Sequence, residues 1–176
     1  GVLAEQIALP ATGVVKIPEH LSFEEASTLP CAGVTAWYAQ FIGGHILPGD
    51  TVLLLGTGGV SIFSLQFAKM AGARVILTSS SDEKLERALA LGADHVINYR
   101  QHPEWQNAVL DLTEGKGVDH AVEVGGPDTL NKTLQAVRVG GSISLMGVLT
   151  GFTANLSTVS ILHKNIKIQG TYVGSV

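Results

Sequence analysis

Cysteine is almost absent from this 176-residue chain: Cys31 stands alone, so no disulfide can close within it, and a reducing compartment suits that usage. Charge is scarce too. Charged residues make up 15% against 45% hydrophobic, which excludes a charge-rich disordered chain and suits a core-rich α/β protein. The formal net charge is -4, with no basic cluster, so neither a nucleic-acid surface nor an anionic membrane surface is expected. No apolar run reaches transmembrane length, because Lys69 and Arg74 interrupt the most apolar region. The first residues lack a basic segment followed by an apolar one, so no signal peptide is read and a cytoplasmic location is expected. A start at Gly1 instead of Met is read as the mark of a piece of a longer protein.

Glycine, by contrast, is plentiful at 21 residues, and most of it punctuates element ends. The stretch that organises the rest is Thr51–Ser61. Val52 to Leu55 form a short strand with no polar face, Gly56, Gly58 and Gly59 follow, and an apolar helix runs from Val60 to Ala71 with Gly72 as its stop. Strand, glycine turn and helix in that order open a dinucleotide-binding βαβ unit. Gly56 permits the tight turn, Gly58 lets the backbone approach a pyrophosphate, and the helix N-terminus offers free N–H groups and partial positive charge. Ser61 stands where a third glycine is usual, and a small residue suffices there for close helix–strand packing.

The chain before that turn reads differently. Ala4 to Leu9 and Gly13 to Ile17 are expected as two brief strands, Ser22-Phe-Glu-Glu25 as a capping box opening a short helix, and Cys31 to Ile42 as a second helix stopped by Gly43-Gly44. After the turn the pattern alternates. Strands are expected at Arg74–Thr78, His95–Asn98, Val118–Val124, Ser142–Met146 and Ile166–Gln169, with helices after Ser80, with Pro103 in a first turn, and after Asp128. About six strands alternating with helices predict a doubly wound parallel sheet of Rossmann type, helices on both faces, with ligand at the C-terminal strand ends.

Such a fold normally sets Asp or Glu about 20 residues past the glycine turn, to bind the adenosine ribose hydroxyls. Here the second strand ends in Thr78-Ser79-Ser80-Ser81, and the first acids, Asp82 and Glu83, already belong to the helix. Hydroxyls in place of an acid remove the charge that repels a 2′-phosphate, and Lys84 can reach that phosphate as a point charge. This favours NADP(H) over NAD(H). The bland alternative is that the serines cap a helix and Lys84 is solvated.

The six histidines show no ligand spacing, and His45, His95, His102 and His120 are read as surface residues. Asp119 and Glu123 belong to the fourth strand, Glu123 in a structural role near the cofactor edge. Trp37 and Trp105 are read as core.

Several of these runs together, Thr28-Leu-Pro-Cys-Ala-Gly-Val-Thr-Ala-Trp37, Gly56-Thr-Gly-Gly-Val60, Ala90-Leu-Gly-Ala-Asp94 with Val96-Ile-Asn-Tyr-Arg100, and Gly140-Gly-Ser-Ile-Ser144, resemble the medium-chain dehydrogenase/reductase superfamily. That is the family of zinc-type alcohol dehydrogenases and quinone oxidoreductases. The resemblance implies a two-part enzyme. Residues 1–40 match the tail of a chaperonin-10-like catalytic domain with its connecting helices, and residues 41–176 match the NAD(P)-binding domain. It further implies Gly58 and Gly59 at the pyrophosphate, Val60 behind the nicotinamide, and Ser79, Lys84 and Tyr99 on the adenosine-phosphate side. Gly125, Gly147 and Val148 would lie along the nicotinamide end, with Thr35 near it.

Cys31 matches the third ligand of the catalytic zinc in the zinc-dependent branch, but a cysteine also occurs there in zinc-free relatives, and the alternative is a small buried thiol beside the cofactor; zinc stays open. The implied activity is hydride transfer between the cofactor and a small-molecule alcohol, aldehyde, ketone or quinone, with most of the substrate pocket, and hence turnover, outside this chain. The alternatives are an NAD-dependent zinc alcohol dehydrogenase using Cys31, and a non-catalytic nucleotide-binding sensor or structural module. A homodimer through the edge of the sixth strand is expected.

Overall fold

A computed structural model describes residues 2–175. Its centre is a six-stranded, all-parallel sheet whose strands lie side by side in the order β3 (His95–Asn98), β2 (Arg74–Ser79), β1 (Thr51–Leu55), β4 (Val118–Glu123), β5 (Val137–Leu145) and β6 (Lys167–Gly170). The chain reaches it through a helix, α1 (Phe23–Ser27), whose reciprocal capping box is formed by Ser22 and Glu25 as the sequence implies. A helical run over residues 29–43 follows, with α2 (Val34–Trp37) in the middle and wider π turns at Leu29–Gly33 and Tyr38–Gly43. Then come β1 (Thr51–Leu55), α3 (Gly59–Met70), β2 (Arg74–Ser79), α4 (Asp82–Ala90), β3 (His95–Asn98), α5 (Trp105–Leu112), β4 (Val118–Glu123), α6 (Pro127–Ala136), β5 (Val137–Leu145), α7 (Thr158–Lys164) and β6 (Lys167–Gly170).

Every residue of β1 is buried, because successive side chains point to opposite faces and both faces are covered. Leu53 and Leu55 enter a core with Ile76, Ile97, Val109, Leu134 and Ile143, on the side of α5 and α6. Val52 and Leu54 enter the other, with Val75, Leu77, Leu65 and Leu85, on the side of α3 and α4. Trp105 is buried in the first core.

Four expectations are corrected. Residues 4–9 and 13–17 form no strands; they run exposed around a single 3₁₀ turn at Ala11–Gly13, because no neighbouring strand meets their backbone hydrogen bonds. Trp37 is 45% exposed, packed edge-on against Phe67 and tilted over Phe41 on the outer face of α2 and α3. β5 begins five residues before the expected Ser142, directly at the end of α6, with its register against β4 shifted between Val118 and His120. His120, read as a surface group, is 2% exposed in the middle of β4, since that strand is covered on both sides.

α7 is the helix that sequence periodicity did not reveal. It buries no residue of its own and ends at Asn165, which adopts the left-handed conformation as its cap. Lys164 next to it donates to the carbonyls of Leu134, Gln135 and Val137, at 3.1, 2.6 and 2.9 Å, closing the C-terminus of α6. Partial burial holds its ammonium below the usual lysine range. Lys164→Met keeps the stem but removes the cation from that helix end. It should cost about 1 kcal/mol, read as a drop of roughly 2–4 °C in thermal midpoint.

Candidate functional site at the strand tips

The order of the strands reverses between β1 and β4, so a crevice opens at their C-terminal ends, where a doubly wound sheet takes its ligand. Gly56 turns the chain there with φ of 77°, and nothing lies within 4 Å of the place where a side chain on Gly56 or Gly58 would begin. Gly58 is the N-cap of the twelve-residue α3, with no side-chain cap on its free N–H groups. The open space and the unpaired donors together fit an anionic group against the backbone. Ser61, in the third-glycine position, is buried and donates its hydroxyl to the Leu55 carbonyl at 2.7 Å, tying α3 to the end of β1.

The tip of β2 lies beside that turn. Thr57 Oγ1 and Ser79 Oγ are 3.3 Å apart, the Gly56 N–H donates to Thr78 Oγ1 at 3.4 Å, and the Tyr99 N–H donates to the Ser79 carbonyl. Ser79 itself is buried, and Ser81 caps α4 by accepting from the Lys84 N–H at 3.4 Å. A small cavity of about 190 Å³ is lined by Thr57, Ile62, Lys84, Arg87 and Leu91. Lys84 and the turn are thus brought together. Arg87, one turn further along α4, is a second cation that the motif reading missed; its signal was the three-residue spacing from Lys84 on one helix face. Tyr99 sits exposed just past β3 and does not line this cavity.

On the other side of the switch point, Gly125 and Gly126 join β4 to α6, Gly126 with φ of 103°. Gly147 lies so close that a methyl on it would stand 1.7 Å from the Val124 carbonyl oxygen. Gly147 and Val148 line an open apolar groove of about 530 Å³ with Gly126, Pro127, Phe152 and Tyr172. Glu123, the last residue of β4, is fully buried. Thr35 is buried inside α2, which packs on α3, whereas Val60 is half-buried in the first turn of α3.

Cys31 is exposed, which corrects the buried-thiol reading; it opens on a groove with Ser27, Thr28, Ala32, Gly59 and Phe63. Among the described residues no three His, Cys, Asp or Glu groups converge as metal ligands. One thiol does not make a zinc site, so the residues present do not by themselves fit the metal.

Residues 59–176 match the family model described as zinc-binding dehydrogenase, and the chain belongs to that family. A zinc-type alcohol dehydrogenase-like protein of Schizosaccharomyces pombe is 48% identical over 100% of this chain and 53% of its own length. A solved putative alcohol dehydrogenase from Sinorhizobium meliloti is 50% identical, with a TM-score of 0.84 over 89% of this chain and 46% of that one. A solved NAD-dependent alcohol dehydrogenase is 38% identical, with a TM-score of 0.88 over 95% of this chain and 49% of that one. The chain therefore spans about half the length of these relatives. Among the described residues no helix is long and apolar enough to cross a membrane.

Proposed function

We propose that this chain is the cofactor-binding part of an oxidoreductase that takes NADP(H) in preference to NAD(H). One observation carries the choice: β2 ends in hydroxyls without a carboxylate, and two cations, Lys84 and Arg87, line the cavity beside Thr57. On this reading Gly58, Gly59 and the N-terminus of α3 hold the pyrophosphate. Ser79, Lys84, Arg87 and Tyr99 take the adenosine side with its 2′-phosphate. Val60, Gly125, Gly147 and Val148 seat the nicotinamide, near Thr35. When bound, the nicotinamide supplies the hydride chemistry, and the chain supplies orientation and electrostatics.

The second substrate is a small alcohol, aldehyde, ketone or quinone, bound chiefly by residues outside this chain, so the isolated chain should bind cofactor with little or no turnover. Residues 1–40 are on this reading the tail of the neighbouring catalytic domain together with its connecting helices. β6 is an edge strand with the exposed apolar Leu162 and Tyr172 near it, and a homodimer formed through that edge would cover them. An NAD-dependent zinc enzyme is the second reading. Exposed Cys31 beside Gly59 would then be one ligand of a zinc completed from elsewhere.

Calorimetric titration with NADPH and NADH at fixed salt separates the two. NADPH should bind more tightly, and Lys84→Ala should weaken NADPH about tenfold while leaving NADH unchanged. Equal affinities, or a preference for NADH, would overturn the phosphate-site assignment.

A further inference from the structure

Glu123 is a carboxylate without exposure to water and, among the described residues, without a cation against it, yet both its oxygens are occupied. Oε1 accepts from the Gly125 N–H at 2.8 Å, the Gly126 N–H at 3.1 Å and Thr129 Oγ1 at 2.6 Å. Oε2 accepts from Thr133 Oγ1. The donors come from the β4–α6 turn and from successive turns of α6, so the side chain ties the loop to the helix that follows. Its main chain ties a second strand: the Glu123 carbonyl accepts from the Met146 and Gly147 N–H groups, at 3.0 and 3.1 Å. The loop after β5 closes the ring, since Thr150 donates through its N–H to the Gly125 carbonyl at 3.1 Å.

The arrangement leaves little slack. A side chain on Gly125 would meet Thr129 Oγ1 at 2.3 Å, and one on Gly126 would meet the Gly147 carbonyl at 2.9 Å. Gly126 also holds a φ of 103°, a conformation that the two N–H bonds to Glu123 support. The side-chain Oε1 thus holds the Gly125–Gly126 turn while the main-chain carbonyl holds Gly147, so one residue fixes where the two peptides sit relative to each other.

From this geometry we infer that Glu123 is a positioning residue for the nicotinamide end of the cofactor. It sets the separation of the two strand tips that would flank the ring, touching neither cofactor nor substrate. This rests on the proposed assignment of Gly125, Gly147 and Val148 to that end. The role is geometric. A glutamine at this position accepts the same two N–H groups through its amide oxygen, while its NH₂ can donate to Thr133 once that hydroxyl turns to the Thr129 carbonyl, 3.2 Å away. A leucine leaves both glycine N–H groups without their acceptor.

The test compares each dinucleotide with its counterpart lacking the nicotinamide: NADPH with 2′-phospho-ADP-ribose, and NADH with ADP-ribose. Calorimetry is run on the wild type, Glu123→Leu and Glu123→Gln in the longest form of the protein that expresses, beside thermal unfolding of each. Glu123→Leu should weaken the dinucleotide about tenfold or more, and leave the counterpart within about twofold. Glu123→Gln should restore most of the loss. Should the leucine variant fail to fold, Thr129→Val serves in its place, with the same selectivity at about threefold. Equal weakening of dinucleotide and counterpart, or no weakening of either, overturns the inference while the wild type's own binding keeps the site assignment standing. If the wild type binds neither member of either pair, the site assignment fails and this inference fails with it.

Discussion

Replacing Gly147 with alanine is expected to lower the unfolding free energy by about 3 kcal/mol, among the larger effects a single methyl can have. The methyl would stand 1.7 Å from the Val124 carbonyl oxygen, 1.9 Å from its carbon and 2.4 Å from its Cα. No rotamer relieves this, because the obstacle is main chain and the methyl has no freedom of its own. The tips of β4 and β5 must separate, and separation breaks the Gly147 N–H bond to the Glu123 carbonyl at 3.1 Å. Denaturant unfolding monitored by far-ultraviolet circular dichroism measures the loss; a variant within 0.5 kcal/mol of wild type, at about the scale of neutral surface changes, would contradict it.

Gly58→Ala supplies the contrast. Its backbone lies at φ of -77° and ψ of 175°, open to any residue, and its side-chain position has no neighbour within 4 Å. Stability should hold within about 0.5 kcal/mol, while the methyl fills the space proposed for the pyrophosphate and dinucleotide binding falls. Of two glycines at the strand tips, one therefore serves packing and the other keeps a place open. The sequence pattern alone treats them alike.

That difference marks where sequence reading reaches and where it stops. β1 and β2 were legible because runs such as Val52–Leu55 and Val75–Leu77 have no polar face, which only a doubly covered strand tolerates. α4 was legible through its serine cap and the stripe of Leu85 and Ala88. α7 was not, since a helix that buries none of its own residues carries no stripe to detect. The expected strands in residues 4–17 failed for the opposite reason: alternation was present, but a strand also needs a partner, and sequence does not reveal whether one exists. Within the site, the glycine turn and Ser79–Lys84 followed from local chemistry. The spacing of Arg87 from Lys84 puts both on one helix face, but that this face meets the glycine turn, like the four donors on Glu123, depends on which elements meet.

His120 is where the burial missed by sequence reading becomes measurable. Its ring lies in β4 beneath the helical run over residues 29–43, close enough that a methyl on Gly44 would stand 2.7 Å from the ring. Nδ1 pairs with Ser142 Oγ at 2.8 Å, while Nε2 is buried without a partner among the described residues. Desolvation holds the ring's pKa down to about 4. The Ala39 carbonyl favours the charged form, but it already accepts from the Gly44 N–H and from Ser144 Oγ, and the Lys167 ammonium acts against the charged form.

The folded state therefore keeps this histidine neutral, where the unfolded chain takes up a proton near pH 6.5. Between those values the unfolded state binds the extra proton, so stability is full above pH 6.5 and declines as pH falls toward 4. The decline should amount to about 3 kcal/mol. Asp94 and Asp119, whose pKa values are lowered despite desolvation by the hydrogen bonds and cations around them, add their own losses only below the ordinary carboxylate range.

Unfolding free energies of wild type and His120→Gln, measured from pH 8 to pH 4, isolate the contribution of this histidine. The substitution should cost about 1 kcal/mol at pH 8, through the altered bond to Ser142, and flatten the acid side of the curve. By about pH 4.5 it should equal or exceed wild type in stability. A slope unchanged by the substitution would mean that the ring is protonated or solvated in the folded protein, and the tight packing of residues 29–43 over β4 would have to loosen to allow it.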